Sequence, residues 1–248
     1  MHNGRSSHPA LTDIFRAQQT IKMICHAAKR DGYIVEDPAE FVDTIRNDSN
    51  DSRRPFTIPE IQSVLSVADP EWQSLIKFGL YTGQRLADIA LLTLDNIDLE
   101  RNEIRLRTRK TTKRLMIPIA APLRSHLESL PAGDEPGAPL HPRAYGTMKR
   151  QGKSGNLSNQ FADILAQAGL RPKTPHRSVG KGRNARRTSN DLTFHSLRHT
   201  AVSLMKNAGI PEGAVMELIG HESKVMSHHY THVGNEALEK AVAALPAI

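Results

Sequence analysis

The sequence is poor in cysteine, in long apolar runs and, over one stretch, in acidic residues. Its single cysteine, Cys25, excludes an intrachain disulfide framework and any multi-cysteine metal centre. No apolar run approaches the roughly 20 residues needed to cross a bilayer. The opening "MHNGRSSHPA" has none of the apolar segment of a secretory leader. These absences predict a soluble, cytoplasmic protein of a reducing compartment, with no membrane partner. Hydrophobic residues still make up 38% of the 248 positions, enough for a core, so wholesale disorder is excluded too.

What is present is positive charge. The formal net charge is +7 and the pI near 9.7, a balance that points to a polyanion partner, nucleic acid before others. Its distribution says more. Seven Lys or Arg and no Asp or Glu fall between positions 171 and 187, among Gly, Pro and Ser, which reads as a solvated basic loop.

The hydrophobic pattern predicts a mainly α chain with a small antiparallel β-sheet (an α+β fold) and no internal repeat. Residues 11–30 show a helical stripe of Leu11, Ile14, Ile21, Cys25 and Ala28, stopped at Gly32. "RNDSNDSRRP", 46–55, holds no apolar residue and reads as a linker. Thr57, Pro59 and Glu60 form a helix-starting capping box. Asp69 and Pro70 open a second helix that Gly83 ends, and Arg85 leads the apolar segment "RLADIALLTL". From position 102 the period becomes two. Ile104, Leu106 and Thr108, then Leu115, Ile117 and Ile119, flank "RKTT" in a hairpin with a basic tip. Helices are expected again at 121–130 and 157–168, with a Gly- and Pro-rich loop over 131–155. A stripe of Leu197, Ala201, Leu204 and Met205 predicts another helix, followed by helices from Pro211 to Gly220 and from 237 to 245 with Asn235 as its cap.

The stretch "GHESKVMSHHYTH", 220–232, holds four of the twelve histidines. A metal site is a poor account of them. His195 and His199 have a workable ligand spacing, but no HExxH or His/Cys pairing accompanies them, so no metal and no other cofactor is predicted.

Two arginines are better guides. Arg85 opens an apolar segment, and Arg198 borders the buried stripe of its own helix, three residues after His195. An arginine beside a core needs an anionic partner, and for Arg85 alone Asp88 is sufficient. Two such arginines with two histidines and a tyrosine suit a second partner, a phosphodiester. Guanidiniums stabilise charge on non-bridging oxygens in a fixed bidentate geometry. A tyrosine hydroxyl serves as nucleophile if a base accepts its proton, and a lysine at the hairpin tip, Lys110 or Lys113, can protonate the leaving oxygen.

This set resembles the tyrosine recombinases of the phage-integrase type. "YTGQRLADIALLTLDNID" is similar to their first arginine box, with Arg85 as its arginine and Asp88 as the acidic supporter; Gln84 is a tolerable variant. "RTRKTTKRLMIPI" is similar to their lysine hairpin, "TFHSLRHTAVSLM" to the H-x-x-R box of His195 and Arg198, and "LIGHESKVMSHHYTHV" to the final box with His221 and Tyr230. The resemblance implies an integrase-like catalytic domain over 56–248, preceded by a linker at 46–55. Residues 1–45 then correspond to one helix of a truncated, helical (SAM-like) core-binding domain. It also implies roles. Tyr230 is the nucleophile, Arg85 and Arg198 hold the phosphate, and His221 donates a hydrogen bond to it. His195 takes the phenol proton, and Lys110, with Lys113 as fallback, is the acid. The expected partner is double-stranded DNA, bound by a homotetramer on paired sites, with no small-molecule substrate. A type IB topoisomerase and a DNA-binding remnant that cuts nothing stay open as alternatives.

Overall fold

The computed structural model describes residues 11–43, 54–109, 112–131, 135, 137–173, 191–220, 239 and 242–246. The chain divides into two compact units, 1–52 and 53–248. In the first, helix α1 spans Leu11–Arg30, and the segment after it folds back along the helix, where Lys29 pairs with Glu40 at 3.1 Å. The apolar face is only partly covered, with Ile21, Met23 and Ile24 each more than half exposed.

The second unit is mostly helical. Helix α2 (Ile58–Val67) starts on a complete capping box between Thr57 and Glu60, as the local sequence predicts. Arg54 grips the Glu60 carboxylate at 2.6 Å and Asp191 at 2.8 Å, and this pairing pulls the Glu60 carboxyl down to about 2. Helix α3 (Pro70–Thr82) begins where the Asp69 carboxylate accepts from the Trp72 amide and ends at Gly83 in the left-handed conformation. Leu75, Ile76 and Leu80 on this helix are completely buried.

The structure departs from the sequence pattern in three places. The segment after Arg85 makes only a four-residue helix, α4 (Leu86–Ile89), and the chain beyond it pairs with residues 138–140. There the Leu92 carbonyl accepts from the Leu140 amide, and the Leu94 amide donates to Ala138. A short strand β1 (Ile97–Asp98) follows and extends the hairpin of β2 (Glu103–Arg107) and β3 (Arg114–Pro118) into a three-stranded antiparallel sheet, order β1-β2-β3. The register pairs Ile104 with Ile117 and Leu106 with Leu115, so the apolar set shares one face. Helix α5 covers Ala121–Ser129. Part of the expected loop 131–155 is instead a helix, α6 (Pro142–Gln151). Its free first-turn amides at Arg143 and Ala144 are taken by the Glu71 carboxylate at 3.2 and 2.8 Å, a cap supplied from α3.

Helix α7 (Gly155–Gln167) and helix α8 (Phe194–Asn207) close over α3. The sequence is sparing with aromatics, yet Trp72, Phe161 and Phe194 meet here, with ring centroids 5.3–6.4 Å apart. Gly79 makes the close approach possible. A β-carbon there would stand 2.9 Å from both Leu197 and Phe194. Helix α9 (Glu212–Ile219) completes the unit. Val242 and Leu245 are buried in the same core, and the Tyr81 hydroxyl donates to the Pro246 carbonyl at 2.6 Å. Residues 242–246 therefore pack on their own unit.

A polar chain runs through the core beneath α6. Lys77 approaches His126 Nδ1 at 3.5 Å, His126 Nε2 and His141 Nε2 both sit 2.9 Å from the Ser74 hydroxyl, and His141 Nδ1 lies 3.4 Å from the Ile89 carbonyl. The cation at one end and the carbonyl at the other set every proton in one direction, with both imidazoles neutral. Burial holds each histidine down to about 4. The unfolded chain protonates His141 near its ordinary 6.5 and the folded one near 4, so protons favour the unfolded state and stability falls as the pH drops through that window. For fully buried His141 the expected loss at pH 5 is about 2 kcal/mol. Urea titrations of the wild type and His141→Gln at pH 7 and 5 check it. The variant should lose less on acidification, and an equal loss would refute the role.

Candidate active site

The site is built around the four-residue turn from Thr82 to Arg85. Gly83 adopts φ +61°, and a β-carbon on it would overlap Ile219 Cδ1 at 2.1 Å. The turn is therefore pressed against the end of α9, and only glycine fits both the backbone conformation and the contact. Arg85 leaves the turn in an extended conformation at the head of α4.

Opposite the turn stands α8. Its stripe of Leu197, Ala201 and Met205 is buried against α3, and Thr200 Oγ accepts from the Phe56 amide at 2.8 Å. Locked in this way, the helix presents Arg198 to the turn, where Nη1 donates to the Gly83 carbonyl at 2.9 Å. Arg198 is 3% exposed, and its Nε and Nη2 have no partner among the described residues.

The electrostatics are unbalanced by design of the packing. Burial first, and the neighbouring Arg85 charge second, lower the Arg198 guanidinium to about 10, with Asp88 pulling the other way. It remains protonated at neutral pH. Asp88 stands 4.0 Å from Arg85 and is nearly inaccessible; its Oδ1 accepts the Arg109 amide at 3.0 Å. One carboxylate thus faces two guanidiniums and also anchors the root of the hairpin. Beside them opens a cleft of about 370 Å³ lined by Arg85, Arg171, Ser154, Ser158 and His195 over an apolar floor that includes Phe161 and Leu165. Two neighbouring guanidiniums, one of them lining the cleft, can hold one anion between them.

The sequence pattern of the phage integrase family matches residues 56–237. The chain belongs to this family. Among curated relatives, the tyrosine recombinase XerC of Roseiflexus castenholzii is 27% identical over 83% of this chain and 63% of its own length, so the chain spans under two thirds of that relative. Two solved structures share the fold. A lambda integrase (75–356) dimer bound to a COC′ core site matches 90% of this chain and 76% of its own, with TM-score 0.56 and 17% identity. A lambda integrase tetramer bound to a Holliday junction matches 88% and 60%, with TM-score 0.53 and 17% identity.

Of the residues that the integrase resemblance singles out, Arg85, His195 and Arg198 come together as described. His195 stacks edge-on against His199, ring centroids 5.0 Å apart, at the rim of the cleft. Lys113 is engaged with Glu217 of α9 at 3.3 Å, a contact the sequence does not signal. Lys110, His221 and Tyr230 lie outside the described residues, as does most of the basic loop of positions 171–187. Sequence reasoning missed the second role of Asp88, the contribution of Arg171 to the cleft wall, and the bonds of Gln84. All three depend on chain segments that meet only in the fold. Among the described residues no helix is long and apolar enough to cross a membrane.

Proposed function

We propose that this chain carries the catalytic part of a site-specific DNA recombinase that cuts and rejoins strands through a 3′-phosphotyrosyl intermediate. One observation supports it most: Arg198, buried close to Arg85, keeps two donor nitrogens without a hydrogen-bond partner among the described residues. A buried cation left unpaired is costly, and an anion bound from outside would offset that cost. In this reading Arg85 and Arg198 hold the non-bridging oxygens of the scissile phosphate and His221 donates a third bond. The Tyr230 phenol oxygen attacks phosphorus, His195 accepts its proton, and the bond to the 5′ oxygen breaks as Lys110 protonates that oxygen. Attack by a 5′ hydroxyl of a partner strand reverses the step, so bond energy is conserved and no cofactor is needed. The partner is double-stranded DNA, bound by a homotetramer on paired sites, and residues 1–45 belong to a helical core-binding domain.

Nicked suicide duplexes test this. Wild-type protein is expected to form a covalent adduct of protein and DNA, and Tyr230→Phe to form none while binding the same duplex. A wild type that forms no adduct on any duplex would leave a DNA-binding remnant. Relaxation of supercoils by a monomer without exchange between sites would point to topoisomerase chemistry instead.

A further inference from the structure

Gln84 sits between two parts of the site and belongs to neither. It is 2% exposed. Its Nε2 donates to the Thr82 carbonyl and to the Leu218 carbonyl, each at 3.1 Å, and its own amide donates to Thr82 Oγ at 3.3 Å. Leu218 lies in the last turn of α9, where carbonyls have no intrahelical partner. The Gln84 carboxamide therefore caps α9 from the turn that carries Arg85, across 134 positions of chain. Its Oε1 has no partner among the described residues, so the donors alone hold the group in place. The same turn is fixed from the other side by the bond of Arg198 to Gly83.

We propose that Gln84 is a positioning residue: its two donated hydrogen bonds set where the exit of α9 stands relative to Arg85 and Arg198. Helix α9 ends one residue before Gly220, so an error at Leu218 shifts the end of this helix against the turn that carries Arg85. The inference rests on the recombinase reading for its kinetic consequence and on geometry alone for its structural one. Methionine fills the same space without donors and leaves the Leu218 carbonyl unsatisfied. Glutamate keeps the shape and donates only when protonated; between two carbonyl oxygens its carboxyl titrates above the ordinary range.

The test compares wild type, Gln84→Met and Gln84→Glu in two measurements. The first is single-turnover adduct formation at saturating nicked DNA across pH 5.5–8.5, a range of about three units centred on neutrality. Both variants should cut about 10–100-fold more slowly at pH 8, with DNA affinity unchanged. Gln84→Glu should regain rate relative to wild type as the pH falls, while the deficit of Gln84→Met stays flat. A purely structural residue would give two flat deficits that track melting temperature, and that result would overturn the proposal. The second is amide hydrogen exchange at the end of α9, where Gly220 donates to Met216 at 2.9 Å. Faster exchange there in Gln84→Met is expected, and unchanged exchange would overturn the proposal even if wild type forms no adduct. A wild type that forms no adduct while Gln84→Met speeds exchange removes the recombinase reading and retains the tie.

Discussion

Replacing Arg198 with methionine is expected to raise the melting temperature or leave it unchanged, and to slow strand cleavage by about 10³-fold. The two effects have opposite signs because one group causes both. In the folded protein Arg198 is a cation taken almost wholly out of water, with one donor nitrogen satisfied by Gly83 and two without a partner among the described residues. An apolar side chain of similar length removes that desolvation penalty. Against this stands the bare Gly83 carbonyl, which costs about 1–3 kcal/mol. On the reaction side nothing compensates, since methionine cannot neutralise charge growing on a phosphate. Calorimetry and single-turnover adduct formation measure the two halves separately. A strongly destabilised variant would show that Arg198 is a structural cation and not a held ligand group.

Gly83→Ala is expected to damage both stability and catalysis. The left-handed backbone costs alanine about 1–2 kcal/mol, and overpacking against Ile219 adds about 1–3 kcal/mol. The β-carbon cannot be accommodated at 2.1 Å from Ile219 Cδ1, so either the Ile219 side chain moves or α9 withdraws from the turn. Withdrawal would also break the Gln84 bond to Leu218 and disturb the carbonyl that receives Arg198. In an Ile219→Ala background, Gly83→Ala should cost less than it does in the wild type, because the space is then open and only the backbone strain remains. Denaturant unfolding of the single and double variants checks this. Equal stability of wild type and Gly83→Ala would mean that the turn is not pressed against α9.

The elements that were legible in the sequence are those whose signals are local. Thr57 with Glu60, Asp69 with Pro70, and Gly83 mark helix ends through bonds spanning a few residues, and the alternation of Ile104, Leu106, Leu115 and Ile117 marks the hairpin. Helix α6 was not legible, because its N-terminal amides are capped by Glu71, some 70 positions away. The shortness of α4 follows from pairing with residues 138–140, again outside any local window. The site shows the same division. Arg85 and Arg198 stand out because a charged side chain beside an apolar stripe needs a reason, and His195 through its H-x-x-R spacing to Arg198. Their meeting depends on the Gly83 carbonyl and on the pressure of Ile219, which no spacing encodes. The donors of Gln84 and the hold of Asp88 on the Arg109 amide are likewise tertiary facts. Lys110, His221 and Tyr230 rest on the sequence motifs alone.

The central claim is that Arg85 and Arg198 neutralise the same DNA phosphate. Adduct formation on a duplex whose scissile phosphate is replaced by a methylphosphonate measures it most directly, because one non-bridging charge is then missing. The account predicts that Arg198→Met loses far less rate on the methylphosphonate than on the phosphate, wild type serving as reference on each. The same fractional loss on both substrates would contradict it.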